Sequence, residues 1–429
     1  MNAARVPECR FCGAPLRKTL VDLGMSPLCE SYVDPARLDD MEVFYPLHVR
    51  ICERCFLVQL RMYVRPDEIF TEYAYFSSYS SSWVEHARTY ADAIAERLGL
   101  GPQSLVVELG SNDGYLLQRF VERGVPVLGV EPAQNVAAVA VERGIRTVNE
   151  FFGAETARRL VAEASPADLI VGNNVLAQVP DLNDFVEGMK RLLAPEGVVT
   201  IEVPHLMRLI DGNQFDTIYH EHYSYFSFRT LRRVLAAHGL VIFDVDELPT
   251  HGGSLRVYAR HVEVDGEPPA SGVYKLSARE EAAGFETMQP YDAFGARVRE
   301  CKRRLLEVLI AIKRDGKSIA AYGAPGKGNT LLNYCGIRTD FIDYAADKNP
   351  YKQGRYLPGT RIPIVHPDRI SETQPDFILI LPWNIKHEIA AELSYTANWG
   401  ARFIIPIPEV TVLTQESAVG ETAFAEERL

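Results

Sequence analysis

The sequence of 429 residues lacks the features that mark membrane proteins, secreted proteins and nucleic-acid binders. No apolar run approaches the roughly 18 residues that a membrane helix needs. The first ten residues contain no apolar core of a signal peptide. A basic excess is also missing, because the formal net charge is -12 at pH 7 and nucleic-acid binders carry surplus lysine and arginine. We therefore expect a cytoplasmic protein that binds neither membrane nor nucleic acid.

The cysteine pattern of secreted domains is absent as well. The seven cysteines include two Cys-x-x-Cys pairs near the N-terminus, Cys9 with Cys12 and Cys52 with Cys55. Without a secretion signal, such pairs favour metal binding over disulfides. Thiolates in two such pairs suit a tetrahedral, structural zinc ion with no open position, and we predict one here. Two unrelated surface turns, or a redox pair, are the alternatives.

Three regions differ in pattern and predict three domains. Residues 1–66 are too short to bury much core, which favours a metal-stapled, zinc-binding module. Residues 67–265 and 266–412 alternate apolar runs with amphipathic segments, as in parallel sheets covered by helices. The second of these regions opens with a connector-like stretch over 266–290, and 413–429 is a polar tail. The predicted class is α/β, with the zinc module, a central Rossmann-like domain and a C-terminal Rossmann-like α/β domain.

The apolar runs and amphipathic segments also predict individual elements. In the central region we expect helices at 114–123 and 182–193, and strands at 105–109, 125–130, 168–171 and 197–203. In the C-terminal region we expect a long helix at 291–314 and strands at 318–323, 341–347, 377–381 and 403–406.

The turn after the first central strand is suited to a nucleoside-bearing cofactor. Its candidate binding residues are Glu108, Gly110, Asn112, Asp113 and Gly114. The glycines let the backbone approach a ligand, and the next strand ends in Glu131, a carboxylate that can accept both hydroxyls of a ribose. Asn112 and Asp113 replace glycines of a dinucleotide turn, which favours S-adenosylmethionine over NAD. A turn without any cofactor is the alternative.

The densest group of titratable side chains lies at residues 219–225, with the sequence YHEHYSY. It follows a predicted strand end near Pro204, at the edge where α/β sheets bind ligands. An imidazole can take a proton from a carbon beside a carbonyl. A neighbouring carboxylate can orient that imidazole, and a phenol can bind the developing enolate oxygen. A packed helix start, whose histidines have their hydrogen bonds satisfied within the protein, is the alternative.

An aromatic and serine-rich segment at residues 73–82 precedes the central sheet. Its tyrosines and serines are too polar for a core helix and too aromatic for a disordered linker. We interpret it as a lid over a polar ligand, with an ordinary surface loop as the alternative.

Together these motifs resemble a known family, the sugar C-methyltransferases that methylate the third carbon of dTDP-4-keto-deoxysugars in antibiotic biosynthesis. The resemblance covers nearly the whole chain. It rests on the paired Cys-x-x-Cys, the Tyr-x-Tyr segment, ELGSNDG, YHEHYSYFS, residues 252–256 and residues 323–330.

The resemblance implies S-adenosylmethionine in the middle domain, zinc in the N-terminal one and a nucleotide sugar between the middle and C-terminal domains. It implies His222 as the catalytic base, with Glu221, Tyr219 and Tyr75 at other catalytic positions. Tyr73 and Tyr75 match aromatic residues near the substrate. Further cofactor contacts are assigned to Tyr73, Ser81, Asn173 and Asn174.

One residue departs from the family pattern. The family carries a histidine where this chain has Gln178, which we assign to the substrate site. Glutamine can donate or accept a hydrogen bond but cannot carry a proton at neutral pH. The reaction is therefore expected to depend on His222, and the identity of the acceptor stays open.

The C-terminal loop at residues 323–330 is interpreted as a phosphate cradle with Lys327 as its point charge and Asn329 beside it. It is not a P-loop, because the GxxxxGK[ST] spacing is missing. Lys352 is a second candidate for the diphosphate. The alternative is a purely structural α/β unit for dimerisation or lid support.

We predict an S-adenosylmethionine-dependent C-methyltransferase that acts on a nucleotide-linked keto-deoxysugar through a base-generated enolate. Its partners are expected to be small molecules, with the protein a monomer or weak homo-oligomer. The alternatives are an O- or N-methyltransferase on a related sugar or other natural-product intermediate, an NAD-dependent nucleotide-sugar oxidoreductase, and a zinc-ribbon adaptor without enzymatic activity.

Overall fold

The computed structural model describes residues 6–70, 76–79, 81–264, 266, 268–414 and 417–418, without the side chains of 70, 81 and 82. The strands are β1 (Lys18–Ser26), β2 (Tyr45–Ile51), β3 (Val58–Leu60), β4 (Val106–Leu109), β5 (Val127–Val130), β6 (Thr147–Val148), β7 (Ala167–Asn173), β8 (Leu193–Pro204), β9 (Ser224–Tyr225), β10 (Leu240–Leu248), β11 (Ser254–His261), β12 (Ile319–Tyr322), β13 (Ala345–Ala346), β14 (Ile364–Val365), β15 (Phe377–Ile380), β16 (Arg402–Ile405) and β17 (Thr411–Leu413). The α-helices are α1 (Pro66–Phe70), α2 (Ser81–Leu98), α3 (Leu117–Val121), α4 (Gln134–Glu142), α5 (Ala154–Glu163), α6 (Leu182–Leu192), α7 (Leu206–Asp211), α8 (Phe228–Ala237), α9 (Ser271–Ala282), α10 (Gln289–Arg314), α11 (Gly326–Cys335), α12 (Arg369–Thr373) and α13 (Lys386–Glu392).

The chain divides into two compact units. The first unit contains Met1–Lys18, Arg50–Met207 and Glu221–Met288, and the second contains Thr19–Val49, Arg208–His220 and Gln289–Leu429. Both cysteine pairs therefore belong to the same unit as the central sheet. The three-domain division expected from the sequence stays a prediction.

The first unit is built on a sheet of order β10-β11-β8-β7-β4-β5-β6. β4 lies between β5 and β7 and runs parallel to both, so the strand order reverses at this point. β8 continues the parallel part, and β11 and β10 close that side as antiparallel strands. Ligands of such sheets bind at the carboxyl ends of the strands beside the reversal. The predicted cofactor turn follows β4 and lies at this edge.

The four predicted central strands are confirmed in position, because continuous apolar runs are typical of strands buried on both faces. All residues of β4 are buried, as are most of those in β7 and β8. Helix α6 is also confirmed. Its N-cap Asp181 accepts the N–H of Asp184, and its apolar face is buried. The predicted helix at 114–123 is shorter, covering Leu117–Val121.

The prediction of a connector at 266–290 was wrong, because this stretch contains helix α9. Its charged patch is the outer face of a helix whose inner face buries Val273 and Leu276. Glu280, fully buried on the same helix, accepts the N–H groups of Phe228 and Arg229 at the start of α8. The stretch is therefore part of the core of the first unit.

The second unit has a sheet of order β14-β13-β12-β15-β16-β17, with β12 parallel to both β13 and β15. The strand order again reverses, here at β12. The predicted long helix is α10, and the strands predicted at 318–323, 377–381 and 403–406 are confirmed. The strand predicted at 341–347 is reduced to the two residues of β13. Among the described residues, no helix is long and apolar enough to span a membrane.

Candidate active site and metal centre

The four predicted cysteine ligands come together in the first unit. Their Sγ atoms all lie within 4.8 Å of one another. Cys9 is 3.6 Å from Cys55, and Cys12 is 3.5 Å from Cys52. Thiolates bound at about 2.3 Å to a tetrahedral zinc ion stand roughly 3.8 Å apart, whereas a disulfide needs about 2.05 Å. The geometry therefore fits a zinc ion with four protein ligands and no position left for catalysis.

The turn after β4 has the backbone that its sequence predicts. Gly110 has φ 67° and Asn112 has φ 49°, in the left-handed region that glycine and asparagine tolerate best. A Cβ on Gly110 would lie 3.1 Å from Val175 Cγ2. The turn therefore packs closely against the segment at the end of β7, where Asn173 is the last strand residue and Asn174 follows it.

Glu131 directs its carboxylate at this turn from the end of β5. Its two oxygens accept the N–H groups of Asn112 and Ala133, both at 2.8 Å. Burial raises the pKa of Glu131, although these two amides act against the shift. Each carboxylate oxygen keeps a further lone pair, so the group can still accept ligand hydroxyls.

Polar atoms without a protein partner surround the same turn. Within the described residues, hydrogen bonds are missing at Glu108 Oε2, Asp113 Oδ1, Asn173 Oδ1 and both side-chain polar atoms of Asn174. Burial, with Glu131 and Asp113 nearby, raises the pKa of Glu108 well above its ordinary value. Buried polar atoms are rarely left unpaired. They fit a cofactor that brings its own amino and hydroxyl groups, as S-adenosylmethionine does.

The predicted catalytic segment crosses the boundary between the two units. Glu221 and His222 belong to the first unit and Tyr219 to the second. Glu221 is 5% and His222 is 9% exposed. The His222 ring packs edge-on against Tyr225, with 6.1 Å between centroids. The imidazole is therefore held in a largely buried position with a slight opening to solvent.

His222 and the loop after β7 are neighbours in the first unit. The N–H of Tyr223, the next residue, donates to the Ala177 carbonyl at 2.8 Å. Gln178 follows in a short 3-10 helix and is half-buried. The structure thus brings the predicted base and the residue that departs from the family pattern into adjoining loops at the carboxyl edge of the sheet.

The other histidine of the segment, His220, lies in the second unit and has a different environment. Its ring is 3% exposed and packs edge-on against Tyr45 at 5.8 Å. Burial lowers the pKa of His220 to about 4, so the ring is neutral at pH 7. His220 is a packed histidine, which the sequence alone could not distinguish from His222.

Sequence reasoning missed a buried ionic cluster at the end of β8. Glu202 is fully buried and accepts hydrogen bonds from His86 at 3.0 Å, Thr250 at 3.0 Å and Arg256 at 2.8 Å. Burial alone would raise the pKa of Glu202, but these partners outweigh it and the pKa lies below its ordinary value. Trp83 stacks on His86 at 4.9 Å. The cluster lies beside one of the predicted cofactor residues, because Glu202 on β8 is in register with Asn173 on β7.

In the second unit, Lys327 opens helix α11 at the carboxyl edge of its sheet. Its Nζ donates to Asn384 at 2.6 Å and lies 4.9 Å from the centroid of the Trp383 ring. The indole N–H of Trp383 donates to Asp216, a fully buried carboxyl. Burial lowers the pKa of Lys327 and raises that of Asp216 to about 6. Asp216 and Trp383 were not identified from the sequence.

Lys352 lies near the same loop. Its Nζ donates to the Ala324 carbonyl at 2.9 Å. Asp347, after β13, accepts the N–H groups of Ala324 at 2.6 Å and Asn349 at 2.8 Å. The arrangement resembles that of Glu131 in the first unit. There, a carboxylate that follows β5 accepts a hydrogen bond from the turn after the adjacent strand β4. Asn329 is fully buried in α11, so its side chain is not open to the loop surface.

Two predicted residues lie outside the described residues, and a third is described by its backbone alone. Tyr73 and Tyr75, and with them most of the predicted lid, lie outside the described residues. Ser81 begins α2, but its side chain is likewise outside the description.

Comparison with known proteins gives a relative that matches over nearly the whole chain. The C-methyltransferase NovU of Streptomyces niveus is 38% identical over 414 residues, which cover 96% of this chain and 98% of the relative. A ubiquinone biosynthesis O-methyltransferase of Bartonella tribocorum is 25% identical over 97 residues, covering 22% of this chain and 39% of the relative.

Three family models match consecutive parts of the chain. A candidate zinc binding domain matches residues 9–70, a methyltransferase domain 83–245 and a C-methyltransferase C-terminal domain 249–408. Among solved structures, magnesium protoporphyrin IX methyltransferase from Synechocystis with bound S-adenosylmethionine is 15% identical. It covers 42% of this chain and 80% of its own, with a TM-score of 0.32.

Proposed function

The chain belongs to the family of S-adenosylmethionine-dependent C-methyltransferases, and on that premise we propose that it methylates a carbon beside the keto group of a nucleotide-linked deoxysugar. The observation that carries the proposal is the position of His222. It lies in a loop that adjoins the loop after β7, at the carboxyl edge of the sheet that presents the cofactor-type groups.

The cofactor end of the site is formed by the turn after β4. Glu131, Asp113 and Asn173 would hold S-adenosylmethionine, which when bound supplies an electrophilic methyl group. The unpartnered buried oxygens of Asp113 and Asn173 are the groups that such a ligand would satisfy. Burial of this turn keeps water from competing for those hydrogen bonds.

His222 acts as the general base in this proposal. A carbonyl acidifies the neighbouring C–H, and a neutral imidazole can accept that proton near neutral pH. The electron pair left on carbon is delocalised onto the keto oxygen as an enolate. Glu221 orients the imidazole, and Tyr219 donates a hydrogen bond to the enolate oxygen. Gln178 cannot replace the base, because an amide does not titrate.

For the diphosphate of the substrate we propose two lysines, Lys327 and Lys352. Lys327 stands at the start of α11, beside the strand-order reversal at β12, and Lys352 approaches the same loop. Open α/β sheets bind ligands at such a reversal. Lys327 Nζ donates to the neutral amide of Asn384, and Lys352 Nζ donates to a backbone carbonyl, so a phosphate would not displace a carboxylate from either hydrogen bond. The Asp216 carboxyl acts on Lys327 through its charge.

The direct test is product analysis. The protein is incubated with methyl-labelled S-adenosylmethionine and a panel of 4-keto-6-deoxysugar nucleotides, and the label is located by mass spectrometry and carbon NMR. A new carbon–carbon bond to a carbon beside the ketone is expected. Label on oxygen or nitrogen would replace this proposal with the O- or N-methyltransferase alternative. Bound nicotinamide in the purified protein, visible by its absorbance, would favour an oxidoreductase.

A further inference from the structure

Arg10 lies inside the first cysteine pair, between Cys9 and Cys12, but its side chain leaves the metal site. Its Nη1 donates to the Pro180 carbonyl at 2.9 Å, and its Nη2 donates to the Leu60 carbonyl. All these residues belong to the first unit. One planar guanidinium thus joins two segments that are 120 residues apart in sequence, Leu60 and Pro180.

Both acceptors of Arg10 adjoin the catalytic segment. The Leu60 N–H donates to the carbonyl of Tyr223 at 3.0 Å. Pro180 ends the loop whose Ala177 carbonyl accepts the N–H of Tyr223 at 2.8 Å. The guanidinium carbon of Arg10 also lies 5.4 Å from the centroid of the Tyr223 ring. Tyr223, which follows His222, is therefore held by its N–H, its carbonyl and its ring. Arg10 contacts the ring and hydrogen-bonds to both of the segments that bind the Tyr223 backbone.

Gln59 completes the connection to the metal site. Its Oε1 accepts the backbone N–H of Arg10 at 2.9 Å, and its Nε2 donates to Cys9 Sγ at 3.1 Å. Gln59 also pairs with Ser224 in the β3–β9 ladder, two residues after His222. A hydrogen bond to a metal thiolate orients the ligand and ties it to its surroundings. The first cysteine pair and strand β9 thus share one hydrogen-bonded frame.

A guanidinium is suited to this place, whereas an ammonium group is not. Its nitrogens lie in a fixed planar fork that can donate to two carbonyls at once and still stack on an aromatic ring. A lysine can reach one carbonyl but cannot hold both in register. The second cysteine pair offers a matched comparison, since it too contains an arginine, Arg54, which is exposed.

We propose that Arg10 is a positioning residue for His222, so that the zinc module sets the place of the catalytic base as well as stabilising the fold. This inference rests on the proposed role of His222. Displacement of a reacting group by about 1 Å can cost on the order of 100-fold in rate, so a loosened frame is expected to affect turnover far more than ligand binding.

The test compares full-length Arg10→Gln, Arg10→Lys and the control Arg54→Gln with the wild type. For Arg10→Gln we expect unchanged zinc content, unchanged Kd for S-adenosylmethionine by calorimetry, and a kcat lower by roughly 10- to 100-fold at similar KM. Amides of Leu60 and Tyr223 should exchange faster in hydrogen–deuterium exchange. Arg10→Lys should give kcat and exchange rates between those of Arg10→Gln and the wild type, and Arg54→Gln should match the wild type in every one of these measurements.

Wild-type kcat and wild-type amide protection in Arg10→Gln would overturn the proposal. A loss of zinc or of S-adenosylmethionine affinity that is as large as the loss of kcat would also overturn it, because Arg10 would then only stabilise the zinc site. If Arg10→Gln does not fold, Arg10→Lys decides by the same readouts. If the wild type methylates no keto sugar, the proposed function fails, while the amide exchange at Leu60 and Tyr223 still decides whether Arg10 holds this segment.

Discussion

Replacement of Glu202 by glutamine tests whether the buried cluster in the first unit is a structural support of the site. Glutamine keeps the shape of the side chain but removes the charge, leaving Arg256, only 8% exposed, without its counter-ion. Breaking a buried ion pair typically costs about 3–5 kcal/mol. Thr250 donates to Oε1 and Arg256 to Oε2 of Glu202, so the one amide oxygen of glutamine can keep the bond from Arg256 but not both. We therefore expect a loss of about 2–3 kcal/mol.

The assay is urea unfolding followed by circular dichroism and by tryptophan fluorescence, to which Trp83, stacked on His86 in this cluster, contributes. With a slope of about 2–3 kcal/mol/M, the midpoint should fall by roughly 1 M. Glu263→Gln is the control, because Glu263 forms an exposed ion pair with Lys190, and its midpoint should not move. Equal midpoints for Glu202→Gln and the wild type would refute the reasoning.

The difference in unfolding free energy between the wild type and Glu202→Gln should change with pH in a defined direction. The pKa of Glu202 in the folded protein lies below its ordinary value of 4.5. The stabilisation is therefore complete above that ordinary value and is lost as the pH falls through the lower, folded-state pKa. The gap between wild type and Glu202→Gln should be largest near neutral pH and should shrink below about pH 4.5. A gap that widens on acidification would contradict the assignment of the charged form.

Three further predictions concern the other sites. Cys12→Ser should lower the zinc content from about one ion per chain and reduce the yield of folded protein; a stable variant without metal would contradict the structural role. Glu131→Ala should weaken S-adenosylmethionine binding by about 1–3 kcal/mol, measured by calorimetry, and unchanged affinity would mean that the ribose binds elsewhere. Lys327→Ala should raise the KM for the sugar nucleotide without altering donor affinity, whereas the exposed control Lys348→Ala should change neither; equal effects on both ligands would indicate a folding defect instead.

The sequence predicted those parts of the fold that depend on local pattern. Continuous apolar runs located β4 and β8, and paired Cys-x-x-Cys motifs located a metal site whose ligands do converge. Helix α9 was missed because its exposed face is charged and its buried face contributes only a few apolar residues. A charged stretch of this kind resembles a connector until the core that it covers is known.

The parts of the site that could not be predicted are assembled from distant residues. Glu202 meets His86 and Arg256 from three different elements, with no shared local motif. Arg10 was visible only as a spacer in a metal motif, because its acceptors, Leu60 and Pro180, are defined by folding alone. Tertiary hydrogen bonds of this kind leave no periodic signal in the sequence.

The central claim is that His222 removes a proton from carbon. The most direct measurement is substrate proton exchange in D₂O without S-adenosylmethionine, followed by NMR of the keto-sugar nucleotide. The wild type should exchange the proton beside the ketone, and His222→Asn should bind the nucleotide with similar affinity but exchange it on the order of 10²–10⁴ times more slowly. Exchange at the wild-type rate in His222→Asn would contradict the account, because the base would then be another group.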